Sequence, residues 1–287
     1  MGFVDRLVAA VRAKNSVAVL GVDPQLDSLR APGLPQGYTL SEFCCEIIEA
    51  CAPFVVAIKP QLAFFEARGL DGMRALVDVL AVARTHGLLT IADAKRGDIG
   101  STSAAYAEAF LGNGDFACDA VTVNPYLGSD ALAPFVARVR EGRGVFVLVK
   151  TSNPSSGEFQ DCPTPQGALW EIVAQRVHGW GSDFLDAHEL SPVGAVLGAT
   201  YPDHARRARE LMPHGIILVP GYGTQGATAA DAVAAARPDG LGVIVNASRS
   251  LMYAYLKESQ KSPGEAAAAA AEAMRTELNA AMHATRQ

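Results

Sequence analysis

The segment Leu88-Leu89-Thr90-Ile91-Ala92-Asp93-Ala94-Lys95-Arg96-Gly97-Asp98-Ile99-Gly100-Ser101-Thr102 decides how this chain is read. An apolar, β-branched run of strand character ends in a carboxylate, an ammonium and a second carboxylate. Charges are costly to remove from water, so their crowding at the end of a buried strand marks a site. Side chains alternate along a strand, so Asp93 and Lys95 project to one side if the strand continues that far, and the pair can address one ligand. Gly100 opens a predicted helix, and Asp98 and Thr102, four apart, share a face of it.

Outward from this segment the same alternation recurs. Apolar runs occupy 16–22, 54–59, 88–93, 120–124, 144–150, 193–199, 215–219 and 242–246. Stretches of helical periodicity or composition follow near 39–51, 71–86, 101–112, 128–140, 166–187, 203–212, 226–236 and 264–283. The strands lack polar alternation, as strands covered on both faces do. The pattern predicts one (β/α)8 TIM barrel over 1–287, with an extra N-terminal helix, in preference to an open doubly wound sheet. Asp23, Lys59, Asp93, Asn124, Lys150 and Thr200 fall at or just past strand C-termini, where this fold places active sites. The connections 24–38 and 151–165 are longer than a barrel requires and read as lids or solvated insertions. The alanine-rich stretch 265–273 reads as a terminal helix covering the barrel.

Composition narrows the function. With 24 basic and 30 acidic residues the net charge is −6, and no basic stripe is present, so nucleic acid is not an expected partner. Five cysteines without C-x-x-C or zinc spacing read as reduced thiols, and six scattered histidines suggest neither a metal site nor a triad. No signal-peptide core or membrane span of about 18 apolar residues is visible, which predicts a cytoplasmic, soluble protein.

The spacing Asp93-x-Lys95-x-x-Asp98, followed by Thr102, resembles the signature of orotidine 5'-phosphate decarboxylases and their relatives. Further segments extend the resemblance from Asp23 to Arg249. Val19-Leu20-Gly21-Val22-Asp23 and Ala57-Ile58-Lys59-Pro60 match the family's first two strand ends, completing an alternating chain of ammonium and carboxylate groups. Val219-Pro220-Gly221-Tyr222-Gly223-Thr224-Gln225-Gly226 and Val245-Asn246-Ala247-Ser248-Arg249-Ser250 follow strands seven and eight, the recurrent phosphate site of such barrels. Val149-Lys150-Thr151-Ser152-Asn153-Pro154 matches the segment whose serine bonds the pyrimidine, although a Ser152 turn cap beside Pro154 competes on chemistry alone.

The resemblance implies metal-free, cofactor-free decarboxylation of orotidine 5'-monophosphate to UMP. It makes Lys95 the proton donor, with Asp93, Asp98 and Lys59 as its charged partners. It gives Asp23, Thr102 and Ser152 to the substrate, and Gln225, Arg249, Gly223 and Ser248 to its phosphate end. Remote phosphate binding would drive closure of the loops around Ser152 and Gln225. It also implies a homodimer in which Asp98 and Thr102 reach into the partner's site. Ser103 departs from the small apolar residue more typical there, and the long loops resemble the longer, bacterial-type branch.

Three alternatives remain. A sugar-phosphate decarboxylase or synthase of the same superfamily would use a divalent metal and need an acidic ligand where Lys59 stands. A Schiff-base aldolase is disfavoured because the sixth strand, Val193-Gly194-Ala195-Val196-Leu197-Gly198, offers no lysine. A catalytically silent nucleotide-binding barrel would have no need of Lys95 between two carboxylates.

Overall fold

The computed structural model describes residues 1–25, 34, 37–198, 202–223, 227–258 and 260–284. Its centre is a closed barrel of eight parallel strands in sequence order: β1 (Ala18–Val22), β2 (Ala57–Pro60), β3 (Leu89–Arg96), β4 (Ala120–Val123), β5 (Gly144–Lys150), β6 (Ser191–Leu197), β7 (Gly215–Val219) and β8 (Val243–Ala247). The ring closes where β1 pairs with β8, placing Val19 opposite Asn246. The predicted barrel is thus the observed one, with strand ends displaced by a few residues.

Two layers of apolar side chains explain why the strands show no polar alternation. Val19, Ala57, Leu89, Ile91, Ala120, Phe146, Val196, Leu218 and Ile244 point into the barrel and form one cluster. Their neighbours Leu20, Ile58, Val121, Val145, Val147, Ile217 and Val245 point outward into a second cluster shared with the helices. Each strand keeps its two-residue period, but both faces are buried.

The extra helix Phe3–Lys14 plugs the barrel's N-terminal end. Its buried face, Phe3, Val4, Leu7 and Val8, joins the inner cluster, and Phe3 meets Phe146 edge to face at 5.9 Å. Gly144 makes that contact possible, because a Cβ there would lie 2.5 Å from the Phe3 ring. With this end sealed, ligand access is left to the C-terminal end.

The alanine-rich segment forms the helix Pro263–Ala284, which packs on the helix Leu40–Cys51 and buries Ala266, Ala267, Ala271, Met274 and Leu278. Two predicted elements differ. The helix expected near 226–236 is a single turn, Ala229–Ala232. The connection 151–165 is not a bare loop: it contains a 3-10 turn, Pro154–Ser156, and a helical turn, Gly157–Gln160. Pro163–Thr164 then pairs with Gly167–Ala168 in a small hairpin, so the following helix starts only at Leu169. Most of 24–38 lies outside the described residues.

Candidate active site

The inward period continues past the strand ends and builds the site. Asp23 stands after β1, Lys59 and Gln61 at the end of β2, Asp93 and Lys95 on β3, and Thr122 on β4. Ser152 follows β5, Pro220 follows β7, and Asn246 and Ser248 close the ring. All line one cavity of about 290 Å³, together with Arg249. Its floor is the inner apolar layer, through Leu148, Val196 and Leu218.

Asp93 is the hub. Its Oδ2 accepts from Lys59 Nζ at 2.5 Å and from Gln61 Nε2 at 3.1 Å. Its Oδ1 accepts from Lys95 Nζ at 2.5 Å and from Thr122 Oγ1 at 3.0 Å. Burial by itself would raise the Asp93 carboxyl, but the two ammonium groups outweigh it and hold the group well below the usual carboxylate range. Burial likewise acts to lower Lys59, yet the carboxylates of Asp93 and Asp23 prevail and leave it above the ordinary lysine value. Lys59 is 5% exposed and Lys95 43%, so Lys95 is the ammonium that a ligand can reach.

Lys95 does face the cavity with Asp93, but not by regular alternation. Its φ is +47°, in the left-handed region, and the pairing of β3 with β4 is interrupted between Ala92 and Arg96. The Lys95 N–H donates to Thr122 Oγ1 at 3.0 Å, so one threonine fixes both the carboxylate and the main chain of the lysine. A non-glycine residue held in this region is strained, and such strain concentrates at functional sites. Arg96 takes no part. It turns outward to pair with Glu66 and to stack over Tyr106 and Phe110 at 5.4 and 5.5 Å.

On the other side of the cavity, Asp23 Oδ1 and Asn246 Oδ1 are buried without a hydrogen-bond partner among the described residues. Two unmet acceptors in one cavity suit ligand hydroxyl donors. Gly21 keeps this corner open to side chains, since a Cβ there would fall 2.0 Å from Ser248 Oγ and 2.9 Å from the Asn246 amide. Arg249 begins a helix of one turn, Arg249–Met252, so the anion-binding capacity expected of a helix N-terminus rests here on the arginine charge. Gly223, at φ +79°, lies against Ser250 and lines an adjoining cavity that shares Arg249. Gln225 and Thr200 lie outside the described residues.

Three expectations change. Asp98 precedes the helix Gly100–Leu111 instead of lying on it, so it shares no helical face with Thr102. Neither residue lines this cavity: Asp98 Oδ1 accepts from the Ile99 N–H at 2.8 Å, and Thr102 is exposed. Asn124 is a turn residue whose Oδ1 accepts from the Tyr126 N–H at 3.0 Å. Lys150 is buried against Asp161 and does not line the cavity. Ser103, the sequence departure, is accommodated because its hydroxyl donates to the Ala131 carbonyl at 2.5 Å.

Gln61, Thr122 and Asn246 are site residues that motif reading passed over. Gln61 could have been found as the next inward position after Lys59. Thr122 carries no such signal inside an apolar strand.

A larger cavity, about 770 Å³, opens at the N-terminal end beside the plugging helix. Its cations are committed to structure: Arg6 to Asp119, Lys14 to the carbonyls of Ala52 and Val55, and Arg84 to that of Ala117. The opposed charges needed for chemistry are in the smaller cavity. The cysteine that lines the larger cavity, Cys118, is a thiol that burial raises to about 12, which disfavours the thiolate.

Residues 24–262 match the family described as Orotidine 5'-phosphate decarboxylase / HUMPS family. The chain is 44% identical over 275 residues to an orotidine 5'-phosphate decarboxylase of Rhodopirellula baltica, covering 90% of each protein. It is 41% identical to that of Deinococcus radiodurans over 98% of both. The solved structure of Leishmania donovani OMP decarboxylase superposes with a TM-score of 0.79 at 34% identity, covering 99% of both chains. With the ammonium–carboxylate array at the barrel's C-terminal end and these likenesses over nearly its full length, the chain belongs to the orotidine 5'-phosphate decarboxylase / HUMPS family.

Proposed function

We propose that this protein decarboxylates orotidine 5'-monophosphate to UMP, the last step of de novo pyrimidine nucleotide synthesis, without metal or cofactor. The observation that carries the reading is the four-donor shell of Asp93. A carboxylate offers about four lone-pair sites. Those of Asp93 are met by Lys59, Gln61, Lys95 and Thr122. It has no capacity left to act as a base or to ligate a cation, so its role is to hold Lys95 in place.

In the reaction the bond from C6 to the carboxylate breaks, CO2 leaves, and the electron pair stays on C6, where no adjacent carbonyl delocalises it simply. The Lys95 ammonium supplies a fixed positive field for that carbanion, donates its proton to C6, and is reprotonated from solvent. Lys59 keeps Asp93 ionised. A metal-dependent sugar-phosphate synthase is disfavoured by Lys59 itself, an ammonium where such chemistry needs an acidic ligand.

Asp23 receives a sugar hydroxyl and Ser152 the pyrimidine. Arg249, with Ser248, Gly223 and Gln225, holds the phosphate, whose remote binding energy supports turnover. The active form is a homodimer in which Asp98 and Thr102 serve the partner's site. What supports this is the surface around them: Ile99, Tyr126 and Leu127 are 59, 83 and 47% exposed. Their loops adjoin, since a Cβ on Gly97 would lie 3.2 Å from the Asn124 carbonyl. Exposed apolar residues grouped in this way suit an interface. The reading takes 1–287 as one domain working in the cytoplasm. Among the described residues no helix is long and apolar enough to cross a membrane.

Adding the protein to orotidine 5'-monophosphate should abolish the orotate absorbance band and release CO2. A folded Lys95→Ala variant should leave the band intact. A stable band with the wild-type protein, or near-normal turnover by Lys95→Ala, would refute the reading.

A further inference from the structure

We propose that Asp161 and Gln160 are positioning residues, a clamp that grips the two residues before Ser152 and sets that serine at the cavity wall. The inference rests on the reading that Ser152 contacts the pyrimidine.

Both jaws of the clamp come from one turn. Gly157–Gln160 is a helical turn, and Asp161 caps its end, so the two side chains are adjacent in sequence and reach back to adjacent residues. The Lys150 ammonium donates to both oxygens of Asp161 at 2.7 Å. Lys150 is the last residue of β5, and its side chain is 2% exposed. The two-point grip ties the end of β5 to this turn in a defined geometry.

Gln160 reads Thr151 at two points. Its Oε1 accepts from the Thr151 N–H at 2.9 Å, and its Nε2 donates to Thr151 Oγ1 at 2.8 Å. Thr151 Oγ1 in turn donates to Asn153 Oδ1 at 2.6 Å, which holds the residue on the far side of Ser152. Position 152 is thus bracketed by fixed neighbours.

A third wall is made by β6. The Gly198 N–H donates to the Lys150 carbonyl at 2.9 Å. The absence of a side chain at 198 lets Ser152 lie close, because a Cβ there would stand 2.9 Å from Ser152 Cβ. All these contacts are made within the protein and converge on the residues flanking the serine. Its position matters because a displacement of about 1 Å can cost about 100-fold in rate.

The test is a double-mutant cycle on steady-state decarboxylation of orotidine 5'-monophosphate, with thermal unfolding measured in parallel. Asp161→Ala, Gln160→Ala and Ser152→Ala should each lower kcat/KM by about 10- to 100-fold. In the Ser152→Ala background either substitution should cost less than about threefold more, since each acts through the serine. Asp161→Asn, which keeps an acceptor oxygen, should recover part of the loss. If the losses multiply in full in the Ser152→Ala background, or if the clamp variants have wild-type kinetics, the clamp is refuted. If Ser152→Ala alone is neutral while the wild-type enzyme is active, the assignment of Ser152 to the pyrimidine fails and the clamp falls with it. Gln160 is on a partly exposed turn, so its variant keeps the test informative even if loss of Asp161 unfolds the chain.

Discussion

Replacing Asp93 by Asn changes little in shape and much in charge. In the native site two ammonium groups approach one carboxylate, Lys59 and Lys95 each at 2.5 Å from a different oxygen. The amide retains one acceptor oxygen and turns an NH2 toward the other ammonium, so one lysine loses its partner and the two cations face each other. Removing one member of a buried ion pair costs about 3–5 kcal/mol. At roughly 2–4 °C per kcal/mol for a domain of this size, the melting temperature should fall by roughly 6–20 °C.

The pH dependence provides the sharper check. The Asp93 carboxyl is depressed in the folded protein, so its stabilisation is complete above the ordinary carboxylate range and is lost only as pH falls below it. Lys59 is raised above its ordinary value of 10.5, so its stabilisation is present below that value and is lost as pH rises through the folded value. In Asp93→Asn burial becomes the dominant influence on Lys59, and its folded pKa drops. The variant's deficit should therefore be large at neutral pH and shrink as pH climbs toward 10.5 and unfolded lysine also loses its proton. Urea unfolding of both proteins across a series from about pH 6 to about pH 10 measures this difference. A deficit under about 1 kcal/mol, or one that does not change with pH, would show that Asp93 is not the electrostatic hub of the site.

Three further outcomes are expected. Gly21→Ala should raise KM strongly at modest cost in stability, because its Cβ would lie 2.0 Å from Ser248 Oγ and force that wall to move; unchanged kinetics would mean the wall yields freely. Arg249→Ala should lower kcat/KM for orotidine 5'-monophosphate by orders of magnitude while barely affecting the slow turnover of orotidine, which lacks the phosphate; equal losses on both substrates would place the anion elsewhere. Lys95→Ala and Asp98→Asn chains, each nearly inactive alone, should recover about a quarter of wild-type activity when mixed by unfolding and refolding, since half the dimers are mixed and each has one intact site; mixed dimers without activity would assign Asp98 to its own subunit.

Much of this protein was legible in its sequence because the signals are local. Eight apolar runs separated by helical periodicity specify a barrel, and a carboxylate and an ammonium two apart at the end of β3 announce the site. Asp23, Lys59 and Asp93 were identified by their place at strand ends and Ser152 and Arg249 by the family segments they resemble, and the structure brings all five to one cavity. What sequence could not supply is anything set by register between strands. Thr122 reads as one more strand residue until β4 lies beside β3 and its hydroxyl meets both Asp93 and the Lys95 N–H. Asn246 joins the site only because closure puts β8 against β1, opposite Val19 and across from Gly21. The left-handed turn at Lys95 and the outward swing of Arg96 are invisible in a run where both look like strand-end charges. Lys150 stood at a strand end like the true site residues, yet a carboxylate eleven positions later draws it out of the cavity. Periodicity and charge clustering are properties of neighbours along the chain, so sequence carries them. Which donor meets which acceptor depends on how separate strands are staggered around the ring, and only the closed barrel decides that.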